Sequence, residues 1–440
     1  MIASASQPES VGRLRNSLRE LPALSWSFLY FFFLLTGYYV LRPVRDAMAA
    51  AGDVEAVFSP GTIAWFSGHG IAIGDFTLQA LFTATFVAML VLQPLYGWLV
   101  SRFPRHVFLP VVYLAFIACL VGFFVAFQRE IPGRGAVFFV WVAVFNLFAV
   151  AVFWSFMADV FSDLQARKVY GYIGAGGTLG GLTGPLLTKL LVVQVGVANM
   201  MWVSIACLSV CLLCIMRLSQ WASANELARG RPHDAAMGGG VLEGLRRVAR
   251  DPLLRAMAVL TFFGVGVGTL LYNQQREIAK LLAEDELRTV FYSNLDLGIN
   301  LLTLAIQVFL TRHILTRWGV GTALMIPALA VLAGFAMLSA SPVPMMVAVV
   351  QIITRAGEFS LGKPARETIY TRVDRQTRYK AKAAIDTVIY RGGDLAFAWV
   401  HKGLALGGSS LVFGGGVVFA ALMTLGAWRV SREQARLPAE

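Results

Sequence analysis

Charged side chains interrupt the apolar stretches of this sequence, and a charge inside a membrane is costly enough to indicate function. The first group, Arg42, Arg45 and Asp46, closes the first apolar stretch. If a helix continues through Pro43, both arginines share one face and could hold a phosphate or carboxylate between them. If Pro43 ends the helix, they extend towards the membrane interface instead. The sequence leaves these two interpretations equally open.

A second group of charges lies in the last third of the chain. Arg391 and Asp394 are three residues apart, so they can pair on one helix face. The glycines between them let a ligand or a neighbouring backbone approach closely. Asp386 lies on a different side of the same helix and needs a partner from elsewhere. For Asp386 and Lys382, salt bridges that lock one conformation are at least as well supported as substrate contacts.

The elements that carry these charges are predicted to be membrane-spanning helices. The 440 residues are 57% hydrophobic and 14% charged, with a mean hydropathy of +0.67, which is too apolar for a soluble domain. Stretches of about 20 apolar residues, long enough to cross a bilayer, recur along the chain. We predict an all-α membrane protein of about twelve transmembrane helices, near 24–42, 75–100, 106–127, 137–158, 171–193, 198–216, 253–274, 290–311, 320–340, 343–361, 383–405 and 411–429.

The basic residues predict the orientation of these helices. Most of the 37 Lys and Arg fall on the side of the N-terminus, which the positive-inside rule places in the cytoplasm. The net charge of +12 therefore reflects topology, and nucleic acid is not expected as a partner. We predict a multi-pass protein of a bacterial inner membrane with both termini cytoplasmic. The predicted parts are a cytoplasmic tail (1–21), a first six-helix half (22–216), a cytoplasmic linker (217–252), a second six-helix half (253–429) and a cytoplasmic tail (430–440).

Weak internal symmetry supports the division into two halves. Short basic turns follow the second and the eighth predicted helices, at 101–105 and 311–317, and resemble the loop motif of the major facilitator superfamily. Glycines on the fifth predicted helix leave a strip without side chains, against which another helix can pack. Their spacing resembles the antiporter motif of that superfamily; the packing residues are Gly171, Gly180, Gly184 and Pro185. Two such halves predict a transporter with its site between them.

Three segments resemble the ATP/ADP translocases of plastids and of obligate intracellular bacteria. Residues 366–391 resemble the C-terminal signature of that family, and residues 153–156 resemble the segment before its helix 4–5 loop. Residues 41–46 are similar to its helix-1 motif, in which Arg45 takes a lysine position. The resemblance implies a nucleotide exchanger in which lysines bind phosphate and acidic residues lie on helices 4 and 7.

The chain departs from that family at its charged site positions. The fourth predicted helix has Asn146 as the polar residue of an apolar stretch, and no glutamate. The glutamate position of the seventh helix falls near Leu270 and Leu271, and Asp394 replaces the lysine that follows the helix-11 arginine. The resemblance therefore implies fold and ancestry, but it does not imply ATP/ADP exchange.

We predict a secondary transporter that exchanges or imports an anionic metabolite, such as a nucleotide or another phosphorylated compound, by alternating access. The residues predicted to bind this substrate are Arg42, Arg45, Asn146, Trp154, Lys189, Asn273, Arg391 and Asp394. The residues predicted to couple or gate transport are Asp46, Asp296, Arg355, Glu358, Lys380, Lys382 and Asp386. Packing is the competing interpretation for Trp154. Lys189 either lines the cavity, which is slightly favoured, or extends outward.

Other classes of function are weighed against this one. A proton-coupled carrier of a different solute would need a buried carboxylate that titrates. Its candidates are Asp296, Glu358, Asp386 and Asp394. A repurposed membrane protein that no longer transports would also have lost the family's site residues.

An enzyme is not expected, because the sequence has no P-loop, acyltransferase motif or metal-ligand spacing. Cys207, Cys211 and Cys214 share a helix face, but a buried apolar helix explains them better than a metal site does. We expect a monomer in the lipid bilayer, with a small anionic molecule as its partner and without metal or cofactor.

Overall fold

The chain folds as a bundle of helices. The computed structural model describes residues 9–50, 54–102, 105–161, 163–226, 241–371, 381–382 and 384–436. The α-helices of these residues are α1 (Glu9–Ala50), α2 (Val54–Val57), α3 (Pro60–Gly68), α4 (Thr77–Arg102), α5 (Arg105–Gln128), α6 (Arg134–Val160), α7 (Asp163–Val195), α8 (Met200–Glu226), α9 (Val241–Arg250), α10 (Pro252–Ala279), α11 (Asp285–Ile306), α12 (Gly319–Ala340), α13 (Pro344–Gly357), α14 (Lys363–Thr371), α15 (Tyr390–Ala405) and α16 (Ser409–Ala435). A 3-10 turn covers Ile73–Phe76, and π-helical segments cover Gln307–Thr311, Ile314–Trp318, Glu358–Gly362 and Ile385–Ile389.

Most of these helices are long and apolar enough to cross a membrane. The described chain contains 11 such spans, from Pro22–Ala50 to Ser409–Ala435. The one predicted span that is not among these 11 is 383–405, which corresponds to the π segment Ile385–Ile389 together with α15, in which Arg391 and Asp394 lower the hydropathy. The predicted class, an all-α membrane protein of about twelve transmembrane helices, is confirmed.

The first helix is longer than the predicted span 24–42, because α1 passes through Pro43 and ends at Ala50. Proline removes one helical hydrogen bond, and in a membrane a group from a neighbouring helix has to compensate. The carbonyl that loses its donor at Pro43 is that of Tyr39, four residues earlier. Thr188 Oγ1 on α7 donates to the adjacent Val40 carbonyl oxygen at 3.2 Å, which adds a polar contact from a neighbouring helix at this turn. Both arginines of the first charged group therefore lie on a continuous helix.

Buried apolar side chains form two large cores, one in each part of the chain. The first core draws on α1 and α5–α8, and Phe138, Phe145 and Phe153 are fully buried in it. The second core draws on α9–α16 and encloses Phe335 and Phe413. We call α1–α8 the first half and α10–α16 the second half. The predicted linker, residues 217–252, begins within α8 and contains α9. Its residues 227–240 lie outside the described residues.

Glycines on α7 let this helix pack tightly against α1. A Cβ atom at Gly180 would collide with the Phe32 carbonyl oxygen, and one at Gly184 would collide with the Tyr39 side chain. Pro185 is buried next to them. Gly171, in contrast, is exposed, and an added Cβ would have no atom within 4 Å. The predicted packing role for Gly171 therefore needs correction, because this residue lies outside the contact with α1.

The two halves meet at the membrane face opposite the chain termini, which we call the far face. Helices α1 and α10 end at this face, and α11 begins there. A small buried apolar cluster joins the three helix ends; its members are Ala47, Ala50, Ala279, Tyr292 and Leu295. The halves also meet where α4 begins and α15 ends. Gln79 Nε2 donates to the Ala398 carbonyl oxygen at 3.0 Å, and Lys402 Nζ donates to the Asp75 carbonyl oxygen at 2.7 Å.

Candidate functional site

An ion pair between the halves joins α1 to α11. Arg42 Nη1 lies 3.0 Å from Asp296 Oδ1, and the two side chains are only 17% and 5% exposed. Arg42 Nε is also 3.9 Å from Asp46 Oδ2, one turn further along α1. The second oxygen of Asp296, Oδ2, is buried and has no hydrogen-bond partner. This pair brings together a residue predicted to bind substrate and one predicted to couple transport.

Asp46 is the centre of a second contact between the halves, closer to the far face. Arg45 Nη2 lies 2.6 Å from Asp46 Oδ1, and the Arg45 guanidinium also lies over the Phe139 ring. From α10, the Tyr272 hydroxyl donates to Asp46 Oδ1 at 2.8 Å. Arg45 therefore has its own counter-ion beside it.

Arg276 continues this contact one helical turn beyond Tyr272. Its Nε donates to the Ala49 carbonyl oxygen at 2.9 Å, in the last turn of α1. The free carbonyl groups at a helix end need such donors. Tyr272 and Arg276 were not among the predicted site residues. The signal in the sequence is the polar stretch 272–277, which ends a helix that is largely apolar before it and in which Tyr272 and Arg276 share one face.

Arg391 and Asp394 form the local pair that their spacing predicts. Arg391 Nη1 lies 3.3 Å from Asp394 Oδ2 on α15. Thr269 Oγ1, on α10, donates to the other carboxylate oxygen of Asp394 at 3.2 Å. This pair belongs entirely to the second half.

Arg355 lies between the Arg42–Asp296 pair and the Arg391–Asp394 pair. It forms no ion pair of its own among the described residues. Its guanidinium packs against Gly268 of α10, where Nη2 would be 3.4 Å from an added Cβ. It interacts with Tyr390 and, over a longer distance, with Asp394 and Arg42. Arg355 Nε is buried and has no hydrogen-bond partner. In the described part of the chain, no carboxylate oxygen is recorded within 4.0 Å of Arg355.

These charged side chains lie near the middle of the membrane. Asp296 is the eleventh residue after Asp285, where α11 begins at the far face, and Arg355 is the eleventh after Pro344, where α13 begins there. Eleven residues of helix rise about 16 Å, which is half of the roughly 30 Å hydrocarbon core. Among the described residues, the midplane site includes the arginines Arg42, Arg355 and Arg391 and the carboxylates of Asp296 and Asp394.

Several residues predicted to bind substrate lie apart from this cluster. Lys189 is exposed on the face of α7 that also exposes Leu186 and Val193, so the favoured cavity position for Lys189 needs correction. Asn273 Nδ2 donates to the Thr269 carbonyl oxygen of its own helix at 2.8 Å. Asn146 is half-buried on α6 in the first half.

Trp154 belongs to an aromatic group in the first half. Its ring lies edge-on to Phe31, Phe153 and Tyr170, with centroid distances of 5.4, 5.2 and 5.2 Å. Such edge-to-face contacts are favourable packing geometry. The packing interpretation of Trp154 therefore accounts for its position.

The three cysteines of α8 are also buried, and Cys211 Sγ contacts the Tyr30 carbonyl oxygen.

The remaining residues predicted to gate transport lie nearer the membrane face opposite the far face. The ion pairs found among them are formed within the second half. Glu358 binds Arg366 through both carboxylate oxygens. Lys382 Nζ lies 2.6 Å from Glu367 Oε1. Asp386 is exposed, and Lys380 lies outside the described residues. Among the described residues, no group of three or more His, Cys, Asp or Glu is arranged to hold a metal ion.

Comparisons with known proteins agree on the type of fold. The sequence profile of the Major Facilitator Superfamily matches residues 27–393. ADP,ATP carrier protein 1 of Chlamydia trachomatis is 23% identical, over 92% of this chain and 86% of that protein. A solved auto-inhibited POT family peptide transporter superposes with a TM-score of 0.61 at 15% identity, covering 95% of this chain and 98% of the other. The nucleoside transporter NupG gives 0.56 at 13% identity, covering 96% and 100%.

Proposed function

Because the chain belongs to the Major Facilitator Superfamily and is therefore a secondary transporter of small molecules, we propose that its substrate is an anionic, phosphorylated metabolite. We further propose that it moves this substrate by exchange between two conformations in which the midplane site opens to opposite faces. Nucleotides are the first candidates, since the ADP,ATP carrier protein of Chlamydia trachomatis is similar to this chain over most of its length.

The observation that supports this proposal most is that Arg355 forms no ion pair with any of the described carboxylates. A buried cation without a counter-ion is unfavourable unless a ligand supplies the negative charge. Arg42 and Arg391, by contrast, each have a carboxylate partner. An anion that approaches Arg355 would meet the nearby positive charge of Arg42 as well, and guanidinium groups are well suited to bind phosphate oxygens. A neutral solute would leave the charge of Arg355 uncompensated.

The closed far face supports a proposal for the side of the membrane to which the site opens. Contacts of α1 with α10 and of α4 with α15 close that face. The distribution of Lys and Arg places the opposite face in the cytoplasm. We therefore propose that this conformation faces inward, in a bacterial inner membrane, with both termini in the cytoplasm.

Counter-exchange in proteoliposomes tests the substrate class. Vesicles that contain the full chain are loaded with ATP, ADP or inorganic phosphate, and the uptake of labelled ADP or phosphate from outside is measured. We expect exchange with at least one of these compounds. Arg355→Gln should lower it by about tenfold or more, the effect of losing a hydrogen bond between charged groups.

Arg317→Gln is the matched control, because Arg317 is exposed at the membrane face opposite the far face. This variant should exchange substrate at the rate of the unaltered protein. If none of the three compounds is exchanged, or if Arg355→Gln transports as well as Arg317→Gln does, the anionic substrate site proposed here is disproved.

A further inference from the structure

Four carboxylates were candidates for a titrating group, and the structure separates one of them from the rest. Glu358 is bound by Arg366, and Asp394 is bound by Arg391 and Thr269, in each case within the second half. Asp386 is exposed. Asp296 alone of these four forms its ion pair across the two halves, with Arg42.

Asp296 is also only half satisfied. Its side chain is 5% exposed, one oxygen is bound by Arg42 at 3.0 Å, and the buried Oδ2 accepts no hydrogen bond. Buried polar atoms are almost always paired, so an exception calls for an explanation. A carboxylate with one free oxygen can take up a proton there without first losing a hydrogen bond. Asp296 also carries the one charge of α11 within its central turns.

We propose that Asp296 is the proton-coupling residue of this transporter, and that protonation at Oδ2 releases Arg42 and allows the far face to open. The proton comes from water and forms an O–H bond on the carboxylate, so no other reagent is needed. Transport of a solute rests on the function proposed above, whereas the release of the ion pair by a proton holds for any solute.

The geometry provides Arg42 with a second partner when Asp296 is protonated. Asp46 Oδ2 lies 3.9 Å from Arg42 Nε, one turn along the same helix. Arg42 can therefore pair within the first half, while a protonated Asp296 remains neutral in the second half. Separating opposite charges in a medium of low dielectric constant is the costly event for a buried ion pair. With Asp296 protonated and Arg42 paired to Asp46, the halves can separate without this cost.

Other charged or titratable groups surround Asp296 on the elements that pack against it. From α1 these are Tyr39, Arg42, Arg45 and Asp46; from α13, Arg355; from the following π segment, Glu358; and from α11 itself, Tyr292. Lys189 of α7 is exposed, and α7 meets α11 through the Gly181 carbonyl oxygen, which accepts from Asn300 Nδ2 at 2.7 Å. Asp46 is bound by Arg45 and Tyr272, and Glu358 is bound by Arg366. Asp296 is therefore the carboxylate that can change its partner across the halves.

Cysteine accessibility tests the proposal without a transported solute. In a full-length, cysteine-free background, Ala279→Cys places a thiol in the buried far-face contact, where Ala279 is 0% exposed. Leu281→Cys, two residues later and 82% exposed, is the reference on the same face. A membrane-impermeant maleimide is applied to the far face of reconstituted protein. The ratio of the two labelling rates removes the intrinsic pH dependence of the thiol.

We expect this ratio to rise by about tenfold as the pH is lowered from mildly alkaline to acidic, because protonation shifts the population towards the far-face-open state. Asp296→Asn, which imitates the protonated side chain, should give a high ratio that no longer depends on pH. Arg42→Gln should also give a high and flat ratio, so the proposal does not depend on one variant folding. Glu433→Gln is the control, because Glu433 pairs with Arg436 at the end of α16, away from the midplane site, and this variant should keep the pH dependence of the unaltered protein.

The proposal is overturned if the unaltered protein shows no pH dependence, or if Asp296→Asn keeps the pH dependence. It is also overturned if Glu433→Gln removes that dependence to the same extent. Failure of nucleotide or phosphate exchange in the vesicles would leave the labelling result intact, because labelling requires no substrate. Conversely, a flat labelling ratio with normal exchange would reject proton coupling and retain the anionic substrate.

Discussion

The two halves of the molecule are built from different kinds of contact. The first half has a core rich in aromatic rings: Tyr30, Phe138, Phe145 and Phe153 are completely buried in it. Its described helices are regular, and glycines bring α7 against the backbone of α1. Among the described residues, its ion pairs at or next to the interface involve Arg42, Arg45 and Asp46.

The second half places many more polar groups inside its helices. Its buried polar residues include Thr269, Asn273, Gln275, Arg276, Arg288, Ser293, Asp296, Gln351, Thr354, Ser360 and His401. All four π-helical segments of the described chain also belong to it. In two of them, Thr311 Oγ1 donates to the Ser360 carbonyl oxygen at 2.9 Å, and Gln307 Nε2 donates to the Phe359 carbonyl oxygen at 3.3 Å.

This difference indicates a division of tasks between the halves. Close-packed aromatic and glycine contacts have one good arrangement, since interiors resist small changes in packing. Ion pairs and π segments, in contrast, allow more than one arrangement of partners, and π segments often occur at functional sites. In the mechanism proposed above, the first half would serve as a rigid body that presents Arg42, and the second half would carry the groups that respond to substrate and to a proton.

The largest expected effect is the loss of an aromatic anchor in the first half. Phe153→Ala should lower the free energy of unfolding by about 3–5 kcal/mol, because Phe153 is fully buried and its removal leaves a cavity. Thermal denaturation in detergent measures the change. Trp399→Ala, at a side chain that is 49% exposed, is the control and should change stability much less. Equal effects would contradict the rigid packing of the first half.

The glycine contact should be sensitive at one position of the motif and insensitive at another. Gly184→Leu should destabilise the protein by about 1–3 kcal/mol, because its Cβ would collide with Tyr39 of α1. Gly171→Leu should be neutral, since its surroundings are open. Melting temperatures of the two variants make the comparison. A similar loss for both would restore the packing role that the sequence predicts for Gly171.

The contact between the π segments of the second half should contribute less to the free energy of unfolding. Thr311→Val removes the hydrogen bond to the Ser360 carbonyl oxygen and should cost about 1 kcal/mol. The control is Thr316→Val, because the exposed Thr316 donates only to the Arg312 carbonyl oxygen one turn earlier. Thermal denaturation compares the two variants. If Thr316→Val were the more harmful, the contact between the π segments would not be a stabilising one.

The smallest expected effect concerns Lys189. Lys189→Gln should leave exchange within about twofold of the unaltered rate, because an exposed lysine beside lipid-facing residues adds little beyond a surface charge. Initial rates of exchange in proteoliposomes measure this. A loss comparable with that of Arg355→Gln would mean that Lys189 reaches the cavity after all.

Local features of the chain predicted much of what the structure contains. The lengths of the apolar stretches predict the spanning helices, because the bilayer thickness requires the same length for every span. The i, i+3 spacing predicts the pair of Arg391 and Asp394, since three residues along a helix bring two side chains together. Glycine spacing predicts a close helix contact, and two of its three glycines take part in it.

The sequence by itself determined that the chain is an all-α membrane protein of about twelve helices, and it predicted the pair of Arg391 and Asp394 within one helix, because these features depend on neighbours along the chain. Only the tertiary structure decided that α1 continues past Pro43, that Lys189 faces outward and that Arg355 has no ion-pair partner among the described residues. It also decided that Arg42 meets Asp296. The physical reason is that helix rotation and packing select a partner on another helix, and the two residues of such a pair lie far apart in the chain.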